Sequence, residues 1–367
     1  MPPLQILMVT QRFFPEMGGI ETHVYETSRR LVDQGCRVSV LTTDRSGRLS
    51  AQEAVGKVHV TRVPAWPRER DYYIAPDIYR SILASNADLI HVQGYHTFVP
   101  PLAMAAALRR RLPYVLTFHS GGHSSPLRNA LRWPQHGSLA PLVRRAMRLI
   151  GVSKFEADFF SRRMRVPRER FAVIRNGAQM PAVEPTAGPS PLIVSVGRLE
   201  RYKGHHRLIS ALPHLLAQLP QARVRILGDG PYKSELSALA ARLGLADRVT
   251  IAGIPPSDRE GVAALLGGAA AIVLLSEYEA HPVAVMEALA MRRRVVVTDC
   301  SGLSEMVDGD SVVAVPIHAR EAEIASAILD QVRKGPMPQA ADLPTWDDCA
   351  CRLRQTYEDV IARHGLR

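Results

Sequence analysis

Two series of short apolar runs, each interspersed with longer helical stretches, constrain the fold of this chain more than any other feature. Such alternation is typical of parallel β-α-β units, because two parallel strands need a long crossover connection. The first series comprises residues 6–10, 38–42, 58–63, 89–92, 114–118 and 149–152. The second series comprises residues 192–196, 224–227, 249–252, 271–275, 295–298 and 312–315. The pattern predicts two α/β domains, each built on a doubly wound parallel sheet.

A proline-rich segment separates the two series. Four prolines lie within the eleven residues from Pro181 to Pro191, and proline can neither continue a helix nor donate to the centre of a sheet. We therefore assign residues 184–191 as a linker, residues 1–183 as an N-terminal domain and residues 192–345 as a C-terminal domain. A chain of 367 residues is also too long for one ordinary hydrophobic core.

The net charge of +11 is confined to the first half of the chain. Residues 1–185 hold 26 Lys and Arg against 14 Asp and Glu, whereas residues 186–367 hold 20 against 21. A one-sided basic field favours an anionic partner, either an anionic membrane surface or an anionic acceptor, with plain solubility as the alternative. We expect no nucleic-acid partner, because neither zinc-finger spacing nor an RNP-type aromatic motif is present.

The termini and the cysteines indicate a cytoplasmic protein. No apolar run reaches the roughly 18 residues of a membrane span. Residues 4–10 are apolar but lack a basic leader, so we interpret them as a first strand and not as a signal peptide. The four cysteines show no metal-ligand or redox-motif spacing, which favours reduced thiols.

Residues 276–291 (SEYEAHPVAVMEALAM) place two glutamates around a predicted helix start. Glu279 lies in a loop after an apolar strand, and Glu287 lies on the helix that Pro282 begins. A helix N-terminus can bind a diphosphate, and carboxylates can accept hydrogen bonds from the hydroxyl groups at both ends of a sugar nucleotide. The alternative is that acidic residues here only stabilise the helix start, by about 0.3–1 kcal/mol.

A second motif, residues 196–204 (VGRLERYKG), follows the first strand of the second series. Arg198 and Lys203 lie on this loop, where a guanidinium fork and a mobile ammonium can converge on one anion. Two solvated loop cations are the alternative. Glycine-rich loops also follow other strands: Gly228-Asp229-Gly230-Pro231, residues 251–255 (IAGIP) and residues 173–177 (VIRNG).

Taken together, these motifs resemble the paired-glutamate retaining GT-B glycosyltransferases, most closely glycosyltransferase family 4. The resemblance implies an α/β GT-B fold, with two doubly wound Rossmann-like domains facing a central cleft. The first domain would be the acceptor side and the second would bind the nucleotide sugar. The C-terminal helix, residues 346–367, is expected to pack back on the first domain.

The resemblance also assigns roles to individual residues. The loop at Gly18 and Gly19 would cover the donor sugar or the acceptor, and it lacks the fingerprint of an NAD enzyme. Ser120 follows the strand-end histidine where many members have aspartate, and His281 stands where an aromatic residue is commonest. The residues implied as catalytic are His119, Arg198, Lys203 and Glu279. The residues implied in nucleotide-sugar binding are Gly18, Gly19, Gly228, Ile254, His281, Pro282, Val283 and Glu287.

The implied reaction is retaining transfer of a hexosyl unit from a UDP- or GDP-sugar to a glycan, lipid-linked or other hydroxyl acceptor, in cell-envelope polysaccharide or glycolipid synthesis. No cofactor and no metal are expected, and Asp308-Gly309-Asp310 is interpreted as a turn. Residues 120–148 mix apolar and basic side chains, so they either meet an anionic membrane surface as a peripheral contact or face the core. A GT-B epimerase or phosphorylase and a non-catalytic binding protein are the rival functions.

Overall fold

The computed structural model of the protein describes residues 2–16, 18–68, 73–120, 126–184, 190–255, 258–337, 339 and 343–365, with only the backbone for residues 126–133. The chain forms two compact units. The first contains the residues up to Ser120, Ala130–Gly177 and the residues from Pro344, and the second contains Ala178–Leu343. Each unit has its own apolar core between a sheet and the helices that cover it.

The first unit is built on an eight-stranded sheet with the order β3-β4-β2-β1-β5-β6-β7-β8. All described pairings are parallel except that between β3 and β4. The strands are β1 (Gln5–Val9), β2 (Arg37–Asp44), β3 (Gln52–Val55), β4 (Val58–Pro64), β5 (Leu89–Gln93), β6 (Tyr114–Thr117), β7 (Arg148–Gly151) and β8 (Phe171–Val173). The helices that precede the second unit are α1 (Gly19–Asp33), α2 (Asp77–Ala84), α3 (Val99–Arg109), α4 (Pro126–Val143) and α5 (Lys154–Met164).

The second unit is a six-stranded parallel sheet with the order β11-β10-β9-β12-β13-β14. This is the Rossmann order, in which the strand sequence reverses beside the first strand of the unit. The strands are β9 (Leu192–Val196), β10 (Arg223–Leu227), β11 (Val249–Ile251), β12 (Ala271–Leu274), β13 (Val295–Thr298) and β14 (Val312–Val315). The helices are α6 (His205–Leu216), α7 (Lys233–Arg242), α8 (Arg259–Gly268), α9 (Val283–Ala290) and α10 (Glu321–Lys334).

The last helix, α11 (Trp346–Gly365), belongs to the first unit, where it packs against α1. Its apolar face is buried through Leu353, Tyr357 and Val360. The helix begins against the backbone of Gly177, because a side chain at Gly177 would come within 2.1 Å of the Trp346 backbone nitrogen. Glycine is therefore required where the chain passes from the first unit to the second.

The prediction of two doubly wound α/β domains is confirmed, with differences in detail. Strands β3 and β8 were not predicted, because one is an exposed polar edge strand and the other has only three residues. The first unit ends at Gly177 and not at residue 183. Residues 185–189 of the predicted linker lie outside the described residues. No helix among the described residues combines the length and the hydropathy needed to span a bilayer.

Candidate active site

The second unit brings two predicted site segments together where its strand order reverses. Strand β9 pairs with β10 on one side and with β12 on the other, so the loops after β9 and β12 diverge at the carboxyl edge of the sheet. Open α/β sheets bind ligands in the crevice that this divergence creates. The loop after β9 carries Arg198 and Lys203, and the loop after β12 carries Glu279.

Lys203 and Glu279 form an ion pair across this point. The Lys203 Nζ donates to Glu279 Oε1 at 2.5 Å, and the two side chains are 17% and 11% exposed. The hydroxyl of Ser276 donates to the same carboxylate oxygen at 2.8 Å. Burial acts to lower the pKa of Lys203, but the charge of Glu279, the nearby Tyr202 and the hydrogen bond to Glu279 together outweigh it, and the pKa is raised. Lys203 is therefore a fixed positive charge.

Arg198 is held less firmly than Lys203. Its side chain is 54% exposed, and its Nη2 lies 3.7 Å from Glu200 Oε1. The loop beneath it is fixed by His205, a buried residue that the sequence did not single out. One ring nitrogen of His205 lies 2.9 Å from Ser195 Oγ, and the other lies 3.3 Å from the Arg198 carbonyl oxygen. The backbone of the loop after β9 is thus anchored, while the exposed guanidinium is held only loosely.

Two glycines allow the loops at this edge to pack against each other. Gly204 has a left-handed conformation at φ +72°, and a side chain there would meet the Leu275 carbonyl oxygen at 2.0 Å. A side chain at Gly228 would meet the Gly197 carbonyl oxygen at 1.9 Å. Loop packing alone therefore requires glycine at position 228, apart from the nucleotide-sugar contact that the family resemblance implies there.

Glu287 lies on α9 and is paired with a residue that the sequence did not indicate. It is 7% exposed, and Arg259 Nη2 donates to its Oε1 at 2.6 Å. Arg259 is the first residue of α8, 28 positions earlier in the chain, and its Nη2 also lies 3.0 Å from Met180 Sδ. An ordinary arginine at a helix start gives no sequence signal for this contact.

The remaining predicted donor residues follow strand ends of the same sheet. Helix α9 begins at Val283, directly after Pro282, and His281 is buried beside them. The backbone N–H groups of the first turn of α9 are therefore next to the Glu279 loop. Ile254 follows the edge strand β11 and is half-buried.

His119 lies at the end of β6 in the first unit and is tightly constrained. Its backbone adopts a left-handed conformation at φ +48°, and its side chain contacts Gln93 Oε1 through Nε2 at 2.7 Å. His96 Nε2 donates to the His119 carbonyl oxygen at 3.0 Å. Burial, followed by the charges of neighbouring histidines, holds the pKa of His119 well below its usual value, so the ring is neutral at pH 7.

Ser120, the residue after His119, is hydrogen-bonded to a buried glutamate. Its backbone N–H and its hydroxyl donate to Glu156 Oε1 at 2.5 and 2.6 Å. The other oxygen of Glu156 accepts from the Val152 N–H at 2.8 Å. The carboxylate therefore ties the end of β6 to the start of α5.

Gly18 and Gly19 begin α1, directly after the loop that follows β1. The Gly18 backbone is extended, and a side chain there would meet Glu21 Oε2 at 2.8 Å, whereas Gly19 has open space around it. One turn further along α1, the ring of His23 lies 4.6 Å from the ring of His119. Helix α1 thus carries the glycine loop to the His119 edge of the first unit.

Asp308 and Asp310 hold a turn. The Asp308 Oδ1 accepts backbone N–H groups from Asp310 and Val312, both at 2.9 Å, and Asp310 pairs with Arg294 and Lys334. Among the described residues, no cluster of three or more His, Cys, Asp or Glu is arranged to hold a metal ion.

Comparisons with known proteins cover both units. A family model for Glycosyltransferase Family 4 matches residues 17–180, and one for Glycosyl transferases group 1 matches residues 178–341, close to the two structural units. A glycogen synthase from Mycobacterium tuberculosis is 30% identical, over 99% of this chain and 96% of its own length. A GDP-mannose:cellobiosyl-diphosphopolyprenol alpha-mannosyltransferase from Komagataeibacter xylinus is 25% identical, over 98% of this chain and 94% of its own.

Solved structures show the same fold. Alr3699/HepE from Anabaena, solved in complex with UDP and glucose, matches with a TM-score of 0.74 at 20% identity, over 97% of this chain and 100% of that one. At this level of identity, the likeness speaks for the fold alone. The match of both family models and the 30% identity over nearly the whole chain go further: this protein belongs to glycosyltransferase family 4, the glycosyl transferases group 1, and has the GT-B fold.

Proposed function

We propose that the protein is a metal-independent, retaining glycosyltransferase that moves a hexosyl unit from a UDP- or GDP-sugar to a hydroxyl acceptor. The observation that carries this proposal is the pairing of Lys203 with Glu279 where the strand order of the second unit reverses. The ammonium group of Lys203 can bind a diphosphate, and the carboxylate of Glu279 can accept hydrogen bonds from sugar hydroxyls. A donor substrate that contains both groups accounts for placing the two side chains side by side.

The cations of this site would stabilise the departing nucleoside diphosphate. Transfer of the sugar leaves new negative charge on the diphosphate, and Arg198, Lys203 and the start of α9 supply positive charge and N–H donors. Removal of one well-aligned donor of this kind typically costs about 10²–10³ in rate. In the complex with donor, the ammonium of Lys203 would contact the phosphates and the carboxylate of Glu279 would accept hydrogen bonds from sugar hydroxyls.

Glu287 would bind the hydroxyl groups of the ribose. A carboxylate can accept about four hydrogen bonds, and both ribose hydroxyls can donate to it. Arg259 would hold the carboxylate in one orientation before the nucleotide arrives, which lowers the entropic cost of binding.

Retention of configuration would follow from front-face attack, in which the departing phosphate accepts the proton of the acceptor hydroxyl. Double displacement by a carboxylate nucleophile is the alternative, and it requires a covalent glycosyl–enzyme intermediate. Proton NMR of the first product formed should show the anomeric configuration of the donor. Isolation of a glycosyl adduct on a side chain would contradict the front-face route.

The acceptor is proposed to be a glycan or a lipid-linked sugar, with the enzyme peripheral on the cytoplasmic face of the membrane. Two relatives support these classes by name, one as a glycogen synthase and one as a transferase to a diphosphopolyprenol-linked sugar. The basic first half of the chain would contribute to membrane attraction. Arg144, Arg148 and Arg170 donate to backbone carbonyls, so their guanidinium groups keep their charge but are held within the fold.

Residues 120–148 support a membrane contact less than their sequence indicated. At the end of α4, Leu139, Ala140 and Val143 are buried in the core of the first unit. The structure does not describe residues 121–125 or the side chains of residues 126–133. The proposed interfacial surface therefore rests on that part of the sequence alone.

The test is a thermal-shift and nucleotide-release assay of the purified protein with a panel of UDP-, GDP- and ADP-sugars. Ligand at 100 times its dissociation constant should add about 2.7 kcal/mol to the unfolding free energy. We expect one nucleotide to respond, and we expect Arg198→Ala/Lys203→Ala to abolish the response. Arg201→Ala removes an exposed cation from the same loop and should leave it intact. Absence of any shift in folded wild-type protein would overturn the proposal.

A further inference from the structure

A buried chain of polar side chains connects the C-terminal helix to His119. The hydroxyl of Tyr357 on α11 lies 2.6 Å from His91 Nδ1, and Gln93 Nε2 lies 3.2 Å from the same nitrogen. The other end of the Gln93 amide, Oε1, lies 2.7 Å from His119 Nε2. Tyr357, His91 and Gln93 are fully buried, and His119 is 8% exposed. The hydrogen-bond partners within this chain of side chains are therefore protein groups and not solvent.

The surroundings of Gln93 define which way its amide points. Its Nε2 lies 3.5 Å from Met8 Sδ, and a thioether sulfur is a weak acceptor that suits an N–H donor better than a carbonyl oxygen. An amide nitrogen carries two hydrogens, which are directed here at Met8 Sδ and His91 Nδ1. The carbonyl oxygen of Gln93 consequently faces His119.

The direction of these hydrogen bonds places the proton on each ring. A carbonyl oxygen can only accept, so His119 must donate to Gln93 from a protonated Nε2. Because the imidazole is neutral, it carries a single proton, and Nδ1 of His119 is left as an acceptor. His91 Nδ1 accepts from Tyr357 and Gln93 in turn, so the His91 proton is on Nε2, which lies 2.8 Å from Thr117 Oγ1.

We propose that Gln93 is a positioning residue that fixes His119 as the Nε2–H tautomer and so makes Nδ1 the atom that accepts a hydrogen bond from a sugar hydroxyl. The sugar contact rests on the proposed function, whereas the tautomer follows from the first unit alone. The tautomer of a histidine is generally set by the hydrogen bond made by its second nitrogen, and Gln93 provides that bond here.

The first test is ¹⁵N NMR of the full-length protein labelled at histidine. Long-range ¹⁵N–¹H correlation distinguishes the two neutral tautomers, and His119→Asn identifies the His119 signals by their loss. We expect the His119 proton on Nε2. A His119 signal of the Nδ1–H form would overturn the proposal, whether or not the protein transfers sugar.

Two unbranched substitutions of equal length extend the test to catalysis. Gln93→Glu keeps an oxygen acceptor opposite His119, and Gln93→Met removes it. We expect the Met variant to lose the single tautomer and at least about tenfold in kcat with little change in donor KM, since a hydrogen bond of this kind is worth about that much. We expect the Glu variant to keep the proton on Nε2. If the Met variant shows an altered His119 tautomer but an unchanged kcat, the tautomer set by Gln93 has no role in catalysis.

Two controls distinguish a wrong tautomer assignment from misfolding of a variant and from failure of the proposed donor site. Circular dichroism melting checks that each variant folds, and if the Met variant does not, the wild-type and Glu spectra still decide the tautomer. The nucleotide-induced thermal shift of the wild-type protein tests the donor site in the second unit separately. Its absence would remove the proposed function and the sugar contact while leaving the tautomer assignment as measured.

Discussion

At the scale of single residues, the two glutamates of the motif at residues 276–291 are each paired with a cation. Glu279 is held by Lys203, and Glu287 is held by Arg259. Because all four side chains are at least partly buried, neither pair is an ordinary surface salt bridge. Each cation therefore helps to fix the position of one glutamate carboxylate.

The Lys203–Glu279 pair should be strongly coupled in the protein without ligand. Lys203→Met leaves a mostly buried carboxylate without its cation, so we expect the unfolding free energy to fall by about 1–3 kcal/mol. Glu279→Gln in the same chain removes the stranded charge and should recover part of that loss. Urea unfolding of both single variants and the double variant measures the coupling, and simple additivity would show that the pair does not interact.

Arg259 should matter for the nucleoside and not for the phosphates. We expect Arg259→Ala to weaken binding of a nucleoside diphosphate by about tenfold, because Glu287 loses the contact that orients it. Binding of inorganic pyrophosphate should be unchanged. Arg242→Ala, an exposed cation at the end of α7, is the matched control. Isothermal titration compares the ligands, and equal losses for both would place the effect of Arg259 on the phosphates.

At the scale of elements, a short turn after β13 supports the loop that carries Glu279. Residues Ser301–Met306 form a 3-10 helix, and its first residue accepts the backbone N–H of Glu279 at 2.9 Å. The Gly302 N–H donates to the Glu279 carbonyl oxygen at 2.8 Å. The position of Glu279 therefore depends on a segment more than twenty residues later in the chain.

Gly302→Ala should disrupt this support. The added methyl group would lie 1.7 Å from the Ala280 carbonyl oxygen, so one of the two segments must move. We expect a loss of about 1–3 kcal/mol in unfolding free energy, together with a weaker nucleotide-induced thermal shift. Gly137→Ala, on α4 with open space around it, should instead be neutral or stabilising by up to about 1 kcal/mol. A normal nucleotide response in Gly302→Ala would contradict the supporting role.

At the scale of the whole molecule, buried neutral histidines make both units sensitive to acid. Burial lowers the pKa of His23 in the first unit and of His205 in the second to about 4, from an ordinary value of 6.5. Their contribution to stability is complete above pH 6.5. As the pH falls from 6.5 towards 4, these histidines become protonated in the unfolded chain but stay neutral in the folded chain. The unfolding free energy therefore declines.

Each of these histidines should contribute up to about 1.4 kcal/mol per pH unit to that decline. Urea unfolding at several values between about pH 4.5 and pH 7.5 measures the slope. His23→Gln removes one titrating group and should make the slope shallower, whatever it does to stability at neutral pH. An unchanged slope in this variant would show that His23 is not the group responsible.

The sequence by itself determined most of the strands and the position of the loops that follow them. Alternation of apolar runs with helical segments depends on local periodicity, so all six strands predicted in each half are present. Arg198 and Lys203 lie close together in the chain, and their shared loop could be identified from the motif. Strand β3 is polar and strand β8 is short, so neither has an apolar run that predicts a strand from the sequence.

Only the tertiary structure decided which side chains these residues contact. Lys203 meets Glu279 across 76 residues, His119 meets Gln93 across 26, and Arg259 meets Glu287 across 28. These contacts depend on which strands are neighbours in each sheet, and local periodicity does not specify strand order. Long-range pairing is set by the burial of both sheet faces and by the packing of glycine-lined loops, which are properties of the folded chain as a whole.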